Sequence, residues 1–133
     1  MLFTHVDHLG IAVDDLEASQ AFYQATFGVS AWEVLELPDR HMRVAVANVD
    51  GTLIELIAPT SEDAAFAKYL RERGPGIHHV AYRVDDIHAA LAELRGQGLR
   101  LIDEEPRPGL HGTLVAFLHP KATQGVLIEV VQH

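Results

Sequence analysis

Cysteine is absent from this 133-residue chain. That excludes a disulfide framework and a thiolate zinc centre, so any metal must be held by imidazole and carboxylate. Positive charge is scarce as well: 10 Lys and Arg stand against 19 Asp and Glu, a formal net charge of −9. Such a balance argues against nucleic-acid binding, which needs basic surface, and leaves an anionic substrate dependent on a local basic patch. No apolar run approaches membrane-spanning length. The opening Met-Leu-Phe-Thr-His-Val-Asp-His lacks both the basic start and the apolar stretch of an export signal. A soluble cytoplasmic protein without a membrane partner is expected. Missing too are a glycine-rich phosphate loop, since Gly74-Pro75-Gly76 reads as a turn, and a serine elbow, since Ser19, Ser30 and Ser61 lie in helix or loop contexts.

What the chain does contain is a repeat. Gly51-Thr-Leu-Ile-Glu-Leu56 returns as Gly125-Val-Leu-Ile-Glu-Val130. Each copy sets one carboxylate, Glu55 or Glu129, inside a run that reads as a buried strand. An ionised carboxylate there is expensive unless it is paired, hydrogen-bonded or bound to a metal. A second repeat couples His8 in His-Leu-Gly-Ile-Ala-Val-Asp-Asp to His79 in His-Val-Ala-Tyr-Arg-Val-Asp-Asp. The histidines are 79 − 8 = 71 residues apart and the glutamates 129 − 55 = 74. A fixed order with so small a drift indicates duplicated modules.

Taken along the chain, Phe3 to Val13 predicts a strand. Leu9, Ile11 and Val13 share one face, suited to packing under helices. His8, Gly10 and Ala12 share the other, leaving space in front of the imidazole. Asp14-Asp15 caps a helix from Leu16 to about Phe27, which Gly28 ends. Strands are expected over Ala31–Leu37, His41–Asn48 and Thr52–Ala58, with Asp50-Gly51 as a hairpin turn. A linker helix from about Ala64 to Arg73 follows, closed by Gly74-Pro-Gly76. The pattern then restarts: a strand over Ile77–Val84, a helix capped by Asp85-Asp86, and strands near Arg100–Ile102, Thr113–Leu118 and Val126–Val131. The expected fold class is α+β, with two paired βαβββ modules forming a curled, barrel-like mixed sheet and helices outside. One domain would hold both modules, about residues 1–59 and 76–133, joined by a helical linker over 60–75.

If pseudo-symmetry relates the halves, His8, Glu55, His79 and Glu129 converge on one point. Two imidazoles and two carboxylates suit a divalent transition metal with positions left for water or substrate. Zinc usually takes fewer ligands, so cobalt, manganese, nickel and iron are equally open. A lone strand histidine is more often a partnered polar residue; the repeat sets His8 and His79 apart from His5, His41, His88, His111, His119 and His133. His78 competes with His79, but by parity it shares a face with Val80, Tyr82 and Val84.

At these residues the chain resembles the vicinal oxygen chelate superfamily, and within it the methylmalonyl-CoA epimerase family. The resemblance is carried by Asp7-His-Leu-Gly-Ile-Ala-Val13, Gly76-Ile-His-His-Val-Ala-Tyr-Arg-Val-Asp-Asp86, Leu101-Ile-Asp-Glu-Glu-Pro-Arg-Pro-Gly109, Val115-Ala-Phe-Leu-His-Pro-Lys121 and Gly125-Val-Leu-Ile-Glu129. It covers nearly the whole chain and is strongest after Gly74. It implies metal ligation by His8, Glu55, His79 and Glu129, and inversion of an acyl-CoA substrate at its α-carbon. On that chemistry a cation stabilises enolate-like charge while a base removes the α-proton and an acid returns it to the other face. Glu129 is the best candidate for the catalytic carboxylate.

One departure matters. A second glutamate base, proposed for some family members, aligns with Arg43. Arginine cannot take a proton at neutral pH, although it can pair with a carboxylate or phosphate. Lys68, Arg100, Arg107 and Lys121 are further candidates for the coenzyme's phosphates, each more simply read as solvated surface charge. Two alternatives stay open: a glyoxalase-type isomerase or extradiol dioxygenase-like metalloenzyme, and a metal-free small-molecule binding module. A homodimer is expected, since symmetric dimers are the commonest assembly.

Overall fold

The computed structural model describes all 133 residues. Its elements follow the order βαβββ, a short linking helix, then βαβββ again. The fold class is α+β. The chain forms two compact units, Leu9–His78 and Met1–His8 with His79–His133. Strand β1, His5–Ala12, contributes to both.

In the Leu9–His78 unit, α1 spans Leu16–Phe27. Its start is set by the Asp15 carboxylate, which accepts a hydrogen bond from the Ala18 N–H at 3.0 Å. Its end is set by Gly28, whose φ of 74° lets its N–H turn back to the Gln24 carbonyl. That conformation is one a side chain resists. Strands β2 (Glu33–Leu37), β3 (Met42–Val49) and β4 (Thr52–Pro59) form an antiparallel meander. Asp50 and Gly51 both take positive φ, 50° and 95°, as a two-residue hairpin turn requires. The core of this unit is Val13, Leu16, Ala45, Leu56 and Ala58, with Ile11, Tyr23, Trp32 and Ile54 packed against it. Helix α2 begins only at Ala67 and ends at Arg73. The three residues expected before it are taken by turns, in which Ser61 Oγ accepts from the Asp63 N–H and the Ser61 carbonyl from Ala64. A serine that satisfies nearby backbone donors competes with helix formation.

In the other unit, β5 (Gly76–Arg83) runs parallel to β8 (Ile128–Gln132), and β8 runs antiparallel to β7 (Leu114–Leu118). Helix α3, Ile87–Gly96, is capped by the Asp86 carboxylate and buries Ile87, Ala90, Leu91 and Leu94. Those four positions form one helical stripe. They pack with Val84, Leu101, Ala116, Leu118 and Val130 into the core of this unit.

The strand expected over Arg100–Ile102 is reduced to one bridge, Leu101 to Leu118. Ile102 and Asp103 both donate their N–H groups to the single carbonyl of Phe117, and the Asp103 carboxylate takes the Phe117 N–H at 2.8 Å. A side chain thus occupies the donor that a ladder would need. Pairing resumes as the two-residue β6, Arg107–Pro108, against Leu114 and Val115. On β1, Gly10 and Ala12 are buried while Leu9 and Ile11 are half-buried. The face expected to lie open is therefore the better covered one.

Candidate metal centre

Three neighbouring strands supply the side chains. On β5 and β8 the register places Ala81 opposite Glu129. His79, two residues before Ala81, shares its face and therefore that of Glu129. His8 comes from β1. His79 Nε2 lies 3.1 Å from Glu129 Oε2, His8 Nε2 lies 3.4 Å from the same oxygen, and the two Nε2 atoms are 3.2 Å apart. The rings meet edge-on, with an interplanar angle of 89°. His8, His79 and Glu129 are all at least nine-tenths buried.

These distances match the chemistry of the donor set. Two atoms each about 2.1 Å from a common ion, at right or tetrahedral angles, stand about 3.0–3.4 Å apart. The two nitrogens and one carboxylate oxygen can therefore hold a single divalent cation, with further positions left for other donors. Burial would raise the Glu129 pKa, but hydrogen bonds from His79 and His8 outweigh it and hold the carboxyl down at about 2. The group is ionised at neutral pH, as a ligand must be.

Behind His8 stands a residue the sequence reading left unassigned. Asp7 is 3% exposed, and its Oδ2 lies 2.8 Å from His8 Nδ1. Its Oδ1 accepts from the Arg83 guanidinium at 3.0 Å and lies 2.6 Å from His133 Nε2. Burial would raise this carboxyl; the hydrogen bonds of His8, His133 and Arg83 overcome it and hold it well below the usual carboxylate range. The available signal was a second charge, directly before His8, in a strand otherwise rich in apolar residues. His79 is supported differently: the Phe117 ring meets it edge-on at 5.4 Å, and the Arg107 guanidinium lies over that Phe117 ring at 5.5 Å.

The other candidates have these places. Glu55 lies on β4 of the Leu9–His78 unit, 8% exposed and opposite Val46. The convergent group comprises His8, His79 and Glu129. His78 packs against Phe66 and Tyr69, with ring centroids 5.8 and 5.2 Å away. Arg43 is held by Glu17 at 2.6 Å and Glu36 at 3.0 Å, so the cation at the expected glutamate position already has carboxylate partners. Arg100 and Lys121 both act on His119, which partial desolvation and these two charges push below its ordinary pKa.

Residues 7–117 match the model of the Glyoxalase/Bleomycin resistance protein/Dioxygenase superfamily. The human mitochondrial methylmalonyl-CoA epimerase is 38% identical over 96% of this chain and 73% of its own length. An ethylmalonyl-CoA/methylmalonyl-CoA epimerase of Cereibacter sphaeroides is 41% identical over 96% of each. Among solved structures, a methylmalonyl-CoA epimerase in complex with methylmalonyl-CoA and NH4+ superposes with a TM-score of 0.92 at 37% identity, over 98% of this chain and 94% of that one. The chain belongs to the glyoxalase/bleomycin resistance/dioxygenase superfamily and, within it, to the methylmalonyl-CoA epimerase family.

Proposed function

We propose that the protein is a metal-dependent epimerase that interconverts the two α-carbon epimers of methylmalonyl-CoA. The observation that carries the reading is the buried convergence of His8, His79 and Glu129 in a chain whose near full-length relatives are methylmalonyl-CoA epimerases. His8, His79 and Glu129 would hold the ion, with Glu55 as the fourth ligand in the reading from the repeat. A bound divalent cation supplies electrostatic stabilisation of the negative charge that develops on the substrate as its α-proton leaves.

The protein's own groups do the rest. The Glu129 carboxylate is ionised, carries an oxygen between two imidazoles, and is the group proposed to exchange a proton with the α-carbon. The burial of all three side chains keeps water from competing at that point. Arg100 and Lys121, close enough to perturb His119, are the proposed contacts for the coenzyme's phosphates. Arg43, paired with Glu17 and Glu36, cannot serve as a base, because a guanidinium holds its proton at neutral pH.

Purified protein, stripped with chelator and then given Co2+, is expected to wash solvent deuterium into the α-position of methylmalonyl-CoA only after the metal returns. Exchange by the stripped protein at the same rate refutes the metal requirement; absence of exchange under both conditions refutes the epimerase. No helix is long and apolar enough to cross a membrane. A cytoplasmic homodimer completes the proposal. Phe22 and Phe27, exposed on α1, supply apolar surface for association, and light scattering at micromolar concentration tests it.

A further inference from the structure

We propose that Asp7 is a positioning residue. Clamped by Arg83 and His133, it fixes the tautomer and orientation of the His8 ring and so sets the affinity of the His8–His79–Glu129 centre for its cation. The inference rests on the metal reading of that centre.

The argument begins with donors and acceptors. An ionised carboxylate only accepts. At 2.8 Å from Asp7 Oδ2, His8 Nδ1 must therefore carry the proton. In a neutral ring this leaves Nε2 bare, with its lone pair on the side of His79 and Glu129. Without the carboxylate, either ring nitrogen can hold the proton, and the form protonated on Nε2 cannot bind a cation there. Histidine ligands that donate their second N–H to a carboxylate gain basicity and a fixed ring plane.

Asp7 is itself immobilised. Its other oxygen receives Arg83 Nη2 at 3.0 Å and Nε at 3.3 Å. His133 Nε2 stands 2.6 Å from the same oxygen and 2.9 Å from Arg83 Nη2. The Asp7 carboxylate only accepts, so the short contact requires the proton of His133 on Nε2. The approach of Arg83 to His133 is then that of two donors converging on one oxygen. Arg83 and His133 are partly exposed while Asp7 is buried. The clamp thus joins the surface to the Nδ1 side of the His8 ring, away from the Nε2 that faces His79 and Glu129. It differs from an ordinary surface ion pair in that each carboxylate oxygen has its own task.

The test uses the intact protein with 15N-labelled histidine, metal-free and then titrated with Co2+. In the wild type, His8 is expected almost wholly as the Nδ1–H form. In D7N one amide cannot accept from both His8 and Arg83, so the tautomers are expected to mix and Co2+ affinity to fall about 10–100-fold. H133L keeps the exposed position filled but removes a donor, and should weaken Co2+ several-fold. H133Q, which retains an N–H, should stay within about twofold of wild type. A folded D7N with the wild-type tautomer, or Co2+ affinity within twofold for both D7N and H133L, overturns the assignment. A wild type that takes up no Co2+ would instead remove the metal reading, and the tautomer ratio in wild type against D7N would still decide whether Asp7 sets the ring.

Discussion

Phe117 stands directly opposite Glu129 on the antiparallel pair β7–β8, and its ring meets the His79 imidazole edge-on at 5.4 Å. One aromatic side chain therefore flanks two members of the candidate centre, while Asp103 accepts the hydrogen bond of its backbone N–H. Replacing it with alanine removes the wall against His79. F117A is expected to weaken Co2+ binding by several-fold and destabilise the fold by about 2–3 kcal/mol, less than a fully buried phenylalanine would cost. F117Y should do neither. Co2+ titration and urea unfolding read the two effects separately.

The depressed pKa of Glu129 makes a prediction about acid. Its carboxyl moves from 4.5 to about 2 on folding. A group whose pKa is lower in the folded state contributes stability that is fully present above the unfolded value and is lost as pH falls toward the folded one. Asp7 shifts in the same direction and adds to the same window. The urea midpoint of metal-free protein is expected to drop between about pH 4.5 and 2. E129Q, which cannot titrate, should flatten the upper part of that curve. An unchanged curve in E129Q would place the acid sensitivity elsewhere.

Leu91 lies on α3 with 1% of its surface exposed, inside the cluster formed with Val84, Leu118 and Val130. L91A leaves a cavity there, with an expected loss of about 2–5 kcal/mol. The exposed helix neighbour Ala92 provides the control: A92S should change stability by less than about 0.5 kcal/mol. Denaturant melts of the two variants check the difference.

Gly51 has a φ of 95°, and a methyl group added there would meet no atom within 4 Å. The cost of G51A is therefore one of backbone strain alone, about 1–2 kcal/mol. Spectra of the folded state should be unchanged while the unfolding midpoint falls. A neutral or stabilising G51A would contradict the left-handed turn.

Much of the architecture was legible because it is written in local rules. The carboxylates of Asp15 and Asp86 cap the two long helices, as short polar side chains before an apolar stripe do. Asp50-Gly51 turns the β3–β4 hairpin. The double occurrence of a buried carboxylate and a strand histidine marked His8, Glu55, His79 and Glu129 before any coordinates, and of these His8, His79 and Glu129 form the convergent group. The short β6 was not legible. Its place depends on which groups claim the Phe117 carbonyl and N–H, and Asp103, fourteen residues away, takes both, donating its N–H to the carbonyl and accepting the N–H with its carboxylate.

The primary sequence by itself determined the βαβββ order of the two runs, the ends of the two long helices and the identity of the ionisable groups inside apolar strands, since each follows from periodicity and neighbours within a few residues. Tertiary structure alone decided the clamp on Asp7. Its partners Arg83 and His133 lie 76 and 126 residues away along the chain, and both look like ordinary polar residues in their own segments. No local pattern encodes a contact over that separation. It exists because β1 and β5 close on one another and bring a buried negative charge within reach of donors that stabilise it.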